Sequence, residues 1–350
     1  MSNKIPPVVL MAVCASVVAI HSIIVSAGDL NPPPGPIQPT GVTLINQQTV
    51  TGFPIIINQP GSYRLTSDII GVSGADGIQI SADGVSLDLN GFSIIGVAGA
   101  ANGVRVSAIV NALTITNGSV RAWPDSAISA TSAAGAILKN LRVSNNGSDG
   151  LRAGRSAVCT DCAALDNGSN GFNFGFNATI RGCSSNNNGA HGFQTGNGAS
   201  LLNCSARDNT QRGVSAGIAT IITTCSAYSN DTDGFSLGSG SLIANCVAAV
   251  NGANGILVTT DCRVKDNNAW SNGAITADGA GVRTTGADNR IEANAVTDND
   301  IGVATGQATN LVIRNSMSGN PTQASPAIGD SISFTINGSS TTFPHSNFQF

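Results

Sequence analysis

The stretch NNNGAHGF, residues 186–193, has close relatives elsewhere in the chain: NNGSDGL at 145–151, DNGSNGF at 166–172 and VNGANGI at 250–256. Aligned on their second glycine, these turns place Gly150, Gly171, Gly192, Gly213, Gly234 and Gly255 at a constant spacing of 21 residues. Gly281 and Gly302 keep that spacing after an insertion around GAITADG (273–279), and looser versions occur upstream at Gly77 and Gly103. Two more columns hold the register. Asn146, Asn167, Asn188, Asn209, Asn230, Asn251 and Asn272 stand four residues before the glycine position, and Cys162, Cys183, Cys204, Cys225 and Cys246 stand nine before it. A fixed period of this length marks a repeat architecture.

Within a unit the apolar residues alternate with period two. Phe172 and Phe174 flank Asn173, a second strand puts Ile180, Leu201, Ile222 and Ile243 in one column, and a third pairs each cysteine with a small residue two positions on, from Ala164 to Ala248. A short unit with three strands and no helix covers its apolar faces only by coiling and stacking. The expected fold is an all-β solenoid of about eleven or twelve coils between Val42 and Asn320, rising about 4.8 Å per coil.

Composition agrees. The 350 residues include one glutamate, Glu292, and three lysines, so strong helix formers are scarce, while 42 glycines suit turns. A formal charge of −4 supplies no basic stripe and argues against a nucleic-acid partner. At the N-terminus Lys4 precedes an apolar run ending at Val25-Ser26-Ala27, the pattern of a secretory signal peptide over 1–27. A retained membrane anchor is the alternative, and lipid attachment at Cys14 is disfavoured because Val13 is not small. Residues 28–41, with NPPPGP, read as a Pro-rich linker, 42–320 as the solenoid, and 321–350 as a capping segment that has left the repeat. The mature chain is expected to be secreted or periplasmic, with no membrane attachment after signal removal.

QPGSYRLTSDI (59–69), GIQISADGVSLDLNGFSIIG (77–96) and the NGxxGF coils together resemble the right-handed parallel β-helix repeat proteins of the pectin lyase-like superfamily. The resemblance covers nearly all of the mature chain. It implies right-handed coiling, secretion, and polysaccharide as ligand or substrate.

Stacking turns each repeat position into a column along the solenoid. The asparagines read as a ladder of side-chain amides bonded from coil to coil. The cysteines read as buried thiols, with strained bridges as the alternative, because stacked Cβ atoms about 4.8 Å apart exceed the roughly 3.5–4.5 Å of a disulfide. Cys159-Thr160-Asp161-Cys162 has CxxC spacing, but no helix follows and Cys159 shares the inward column of Ile180, so neither redox nor zinc chemistry is expected.

His191 is the one histidine in the body of the chain, in the column Asp149, Asn170, His191, Arg212, Asp233, Asn254. Two readings stand for it. The column suits turn residues with φ > 0. Alternatively, His191 acts as the base of a polysaccharide lyase with Arg212 neutralising the substrate carboxylate. A glycosidase fits poorly, since Asp149 and Asp233 lie four coils apart, roughly 19 Å, against the 5–9.5 Å of paired catalytic carboxylates.

An outward column runs Leu165, Asn186, Arg207, Tyr228, Ala249, Trp270, and counting back through NGSVRAWPDSAI adds Trp123. Rings two coils apart, near 10 Å, match the repeat of an extended disaccharide. Trp123, Arg207, Tyr228 and Trp270, with Asn170, Asn173 and Gln194, form the candidate sugar-binding set. No cofactor is expected to be required. Ca²⁺ is the one ion suggested, by Asp88 and by Asp231 with Asp233, and no dense acidic cluster accompanies them. The expected function is non-catalytic binding of polysaccharide or cell-surface glycan along the side of the solenoid. The alternative is a lyase for acidic, uronate-containing polysaccharide.

Overall fold

Three corners close each coil. In the coil 172–192 the strands Phe172–Phe174, Thr179–Arg181 and Ser184–Asn186 form three faces. The chain turns between and after them at Asn177, Gly182 and Asn187, with φ of 58°, 63° and 52°. Asn, Asp and Gly adopt this left-handed region most readily, which explains their abundance at these corners. Each left-handed residue is followed by one that points inward and is buried: Ala178, Cys183 and Asn188.

The computed structural model describes residues 41–276, 278–325, 331–332, 335–337 and 347–349, so the proposed signal segment lies outside the described residues, as does the linker up to residue 40. All described strand pairings are parallel and in register: Phe172 pairs with Phe193, Ile180 with Leu201, Ser185 with Ala206. One face is a sheet of thirteen strands among the described residues, from Ile55–Ile57 to Thr322–Ser325. The other two faces share one sheet, because Thr114–Arg121 and Ile137–Ser144 run unbroken across the corner between them. The protein is a parallel β-solenoid of about 13 turns, slightly more than the repeat spacing implies.

The difference lies partly at the C-terminus. Thr322–Ser325, Ser331–Ile332 and Asn347–Gln349 pair with strands of the preceding coil, so the described residues of 321–350 add sheet to the solenoid. Paired strands satisfy backbone groups that an open edge would leave exposed.

Inside, each face contributes one or two apolar rows. Phe172 and Phe193 stack with ring centroids 4.6 Å apart, and neither is exposed. The expected asparagine ladder is present and longer than the 21-residue spacing reveals. Asn188 Nδ2 donates to Asn209 Oδ1 at 2.9 Å, and Asn209 Nδ2 to Asn230 Oδ1 at 2.9 Å. Beyond the insertion the ladder continues through Asn272, Asn299 and Asn320. The two other corners carry ladders that sequence spacing missed, one through Asn267, Asn294, Asn315 and Asn347 and one through Asn289 and Asn310.

The conserved spacing of Gly192 and its equivalents has a cause other than the expected turn. These glycines do not have left-handed φ. A Cβ on Gly192 would lie 2.6 Å from the Gly213 carbonyl oxygen and 2.8 Å from Asn209 Nδ2, so the ladder itself excludes any side chain there.

Asn209 shows what a rung contributes. Its Oδ1 accepts from the backbone and side chain of Asn188, and its Nδ2 donates to Asn230. Asn209→Ala leaves these buried groups unpaired and should cost about 2–4 kcal/mol, whereas Asn187→Gly, at an exposed left-handed corner, should stay within about 1 kcal/mol. Urea-unfolding midpoints of the two variants measure the contrast; equal shifts would contradict it.

Candidate functional site

The structure separates the candidate residues into two groups and removes one. The first group lies on the thirteen-strand face and the bend before it. The expectation of positive φ for the His191 column fails, since none of Asp149, Asn170, His191, Arg212, Asp233 or Asn254 is left-handed. These residues instead form a second kind of hydrogen-bonded row. Asp149 Oδ1 accepts from Asn170 N at 2.9 Å and Nδ2 at 2.8 Å. Asn170 Oδ1 accepts from His191 N at 3.1 Å, and His191 Nδ1 accepts from Arg212 N at 3.3 Å. Asp233 Oδ1 continues the row by accepting from Asn254 N and Nδ2.

This row determines the chemistry of His191. With Nδ1 accepting a backbone N–H, the neutral imidazole carries its proton on Nε2 and presents a donor. Burial, with the charge of Arg212 beside it, holds the imidazole below the usual histidine range. Arg212 is itself engaged, its Nε lying 3.0 Å from Asp233 Oδ2. Asn173 Nδ2 donates to Asp149 Oδ2 at 3.0 Å, and Arg152 pairs with the same oxygen at 3.1 Å. Gln194, half-buried, occupies the outward position next to Asn173 in register.

The second group lies beyond the Asn188 corner, on the face that contains Ser184–Asn186. Strand pairing joins Leu165, Asn186, Arg207, Tyr228, Ala249 and Trp270 in one outward column. Tyr228 is 40% and Trp270 36% exposed, and Ala249 between them is buried, which makes a shallow slot with an alanine floor. The Arg207 guanidinium stands 5.2 Å from the Tyr228 ring centroid, a cation–π contact, while its Nε pairs with Asp208 at 2.9 Å. Next to this column a pocket is lined by Arg142, Leu165, Ser184, Asn186, Ser205 and Arg207. Arg142 is exposed and, among the described residues, has no ion-pair partner. Sequence reasoning missed it, because only its pairing with Ala163 assigns it to this shelf.

Trp123 does not belong to the shelf. It is 1% exposed, its Nε1 donates to the Ile94 carbonyl at 3.2 Å, and its backbone N–H donates to Asn146 Oδ1 at 3.1 Å. Arg121 pairs with Ser144, which pairs with Leu165, so Trp123 stands two positions beyond the outward column. Trp123 therefore occupies the first position of the asparagine ladder and packs over Gly71, Gly77 and Gly103. The shelf residue of that coil is Arg121, paired with Ser144.

Of the carboxylates that suggested Ca²⁺, Asp88 is ion-paired with Arg64 at 3.1 Å and Asp233 with Arg212, while Asp231 is exposed. The one glutamate sits in a third charged cluster. Glu292 is buried and accepts from Arg263, from Arg290 Nε at 2.6 Å and from Arg314 Nη2 at 3.1 Å. All seven described cysteines are free thiols and buried, as the column reading anticipates.

The class of the protein follows from this geometry: it is a right-handed parallel β-helix protein. No protein-family model matches the chain, and no curated protein does. Among solved structures it is similar to the A-module of the mannuronan C-5 epimerase AlgE6 of Azotobacter vinelandii, with TM-score 0.61 and 17% identity over 88% of this chain and 89% of that one. The A-module of AlgE4 from the same organism gives TM-score 0.56 and 16% identity over 79% of this chain and 89% of that one. At these identities the likeness is one of fold.

The Glu292 cluster makes stability pH-dependent. Hydrogen bonds from Arg290, then Arg263, hold its carboxyl down to about 2 against the opposing effect of burial. A carboxyl depressed in the folded state stabilises the protein above its unfolded pKa, and that contribution is lost as pH falls from about 4.5 through about 2. Glu292→Gln should cost on the order of 1–2 kcal/mol at pH 7, because the half-exposed arginines are screened by solvent, and progressively less below pH 4. Unfolding free energies across pH 2–7 test this, and a parallel offset at every pH would refute it.

Proposed function

We propose that the protein is exported and binds an extracellular polysaccharide, without altering it, along the shelf formed by Arg142, Asn186, Arg207, Tyr228 and Trp270. The observation that carries this reading is the outward column in which Tyr228 and Trp270 flank buried Ala249. Two exposed rings spaced by two coils, about 10 Å, offer stacking surfaces at the repeat of an extended disaccharide. Arg142 and Arg121 supply cationic donors for carboxylate groups on the glycan. The two similar modules are mannuronan C-5 epimerases, which is consistent with a polysaccharide partner.

The state of His191 supports binding over catalysis. A lyase base must accept a proton on a free ring nitrogen, whereas His191 has Nδ1 occupied by the Arg212 N–H. Arg212, assigned to the substrate carboxylate in the lyase reading, is neutralised by Asp233. Gln194, and His191 through Nε2 as a donor, remain candidates for secondary sugar contacts, whereas Asn170 and Asn173 are committed to Asp149. Ca²⁺ has no part in this reading.

The test is glycan-array binding followed by titration with the best ligand. Tyr228→Ala and Trp270→Ala should each weaken binding by about 1–2 kcal/mol, on the scale of aromatic stacking, and Arg142→Ala should weaken binding of uronate-containing chains most. His191→Ala should leave affinity within about threefold, since a rim donor contributes little. Unsaturated uronate products detected in the ultraviolet with pectate or alginate, and abolished by His191→Ala, would establish the lyase instead.

A further inference from the structure

We propose that Cys159, Cys162 and Cys183 form a three-sulfur site for one soft monovalent metal ion, Cu(I). Their Sγ atoms all lie within 4.8 Å of one another, and those of Cys159 and Cys183 are 3.7 Å apart. A trigonal ion bound at about 2.3 Å from each sulfur places the sulfurs about 4 Å apart. The three sulfurs need little rearrangement to receive it, and each Cu–S bond replaces an S–H bond whose proton is released to solvent.

The sequence around the cluster departs from the rest of the solenoid at one position. Strand pairing aligns Leu138, Cys159, Ile180, Leu201, Ile222 and Ile243 in a single inward column. Every neighbour of Cys159 there is a branched aliphatic residue, which would fill the core better than a thiol. Cys159 is also the member that turns a simple stack of corner cysteines into a triangle, since Cys162 and Cys183 succeed one another at a corner while Cys159 approaches from the adjoining strand. The CxxC spacing thus supplies two members of a three-ligand set whose third comes from the next coil.

Donor number and softness select the ion. Among the described residues no fourth His, Cys, Asp or Glu joins the group. Structural zinc takes four ligands, as do iron–sulfur clusters, whereas thiolates are the preferred donors of Cu(I). All three cysteines are at most 2% exposed, so the protein holds the ion away from water. Further along the corner, Cys204, Cys225 and Cys246 stack without an adjoining thiol on the strand, where Leu201, Ile222 and Ile243 stand instead. They form no comparable triangle.

The experiment uses the full chain, produced in copper-supplemented medium and purified under reducing, anaerobic conditions. Copper alone is the probe, challenged by a Cu(I) chelator, with X-ray absorption reporting its ligands. The expected result is one copper per chain bound by three sulfurs. Cys159→Ile, which copies Ile180 and Ile222 and so preserves the packing, should lower copper affinity at least on the order of 100-fold, more than loss of an outer-shell partner does. Cys225→Ala, outside the triangle, should retain the ion. Equal retention by Cys159→Ile, equal loss in Cys225→Ala, or a copper-free chain with Cys159 and Cys183 oxidised to a disulfide would each overturn the proposal. Thermal unfolding of both variants verifies that their folds are intact.

Discussion

Along the Asn188 corner of the solenoid, and along stretches of the other two, a backbone N–H points along the axis towards the next coil, and the inward side chain of that coil accepts it. Asn188 N donates to Asn209 Oδ1, Cys204 N to Cys225 Sγ and Thr220 N to Ser241 Oγ. The rest of the structure depends on these contacts. A buried N–H without a partner costs about 1–3 kcal/mol, so leaving the whole Asn188 row unpaired would cost more than the net stability of a typical domain. The acceptor must come from a fixed position in each coil, so insertions are confined to segments such as 273–279 that do not disturb the corners. The same requirement presses the backbones together and leaves room only for hydrogen at Gly192 and its equivalents.

Residues committed to these rows are poorly placed for chemistry. A side-chain amide that donates and accepts within the solenoid has little capacity left for a ligand, and the same holds for a histidine whose Nδ1 serves a neighbouring coil. Recognition then falls to outward positions in mid-strand, where side chains stand clear of the backbone network and repeat at the coil spacing. That spacing, about 4.8 Å, is close to the length of one sugar residue, so a solenoid face presents a ruler along which a glycan can lie. Much of the charge on these faces is paired locally, as Arg152 with Asp149 and Arg64 with Asp88, whereas Arg121, Lys139, Arg142, Arg155 and Arg181 have no such partner among the described residues, and of these Arg121 and Arg142 lie on the shelf.

The fold was legible in the sequence because its constraints act at fixed spacing. The 21-residue glycine interval, the asparagine column and period-two alternation each record one physical requirement of the same coil. Spacing failed wherever coil length changed. The ladder steps from Asn272 to Asn299 and from Asn267 to Asn294 span the insertion and break the interval, and the long coil before Asn146 displaced the count that assigned Trp123 to the surface. The His191 column failed for a different reason. Asp, Asn and His favour left-handed turns and also accept hydrogen bonds, and composition alone does not tell the two roles apart. The candidate site was legible in part: Arg207, Tyr228 and Trp270 share a column as expected, whereas Arg142 joins them only through three-dimensional register.

One corner changes its chemistry along the axis, from cysteine at 162 through 246 to asparagine at 267 and beyond. The two residue types solve the same problem with different strength. Cys246 N donates to Asn267 Oδ1 at 2.9 Å, while Cys204 and Cys225 donate to sulfur at 3.3 and 3.4 Å, a weaker acceptor. Asparagine brings an amide that must itself be satisfied, and Asn267 Nδ2 meets that need at Asn294 Oδ1 and the Ile243 carbonyl. A thiol behaves as a small apolar group, with only a weak S–H to place, and Cys204 directs it at the Leu202 carbonyl. Cysteine therefore tolerates a row in which no oxygen acceptor follows, and asparagine gains when the next coil can supply one. The coils from Cys162 to Cys246 hold sulfur at this corner where the later coils hold amides, and among the described residues the one place where an extra thiol faces the sulfur row from a neighbouring strand is Cys159.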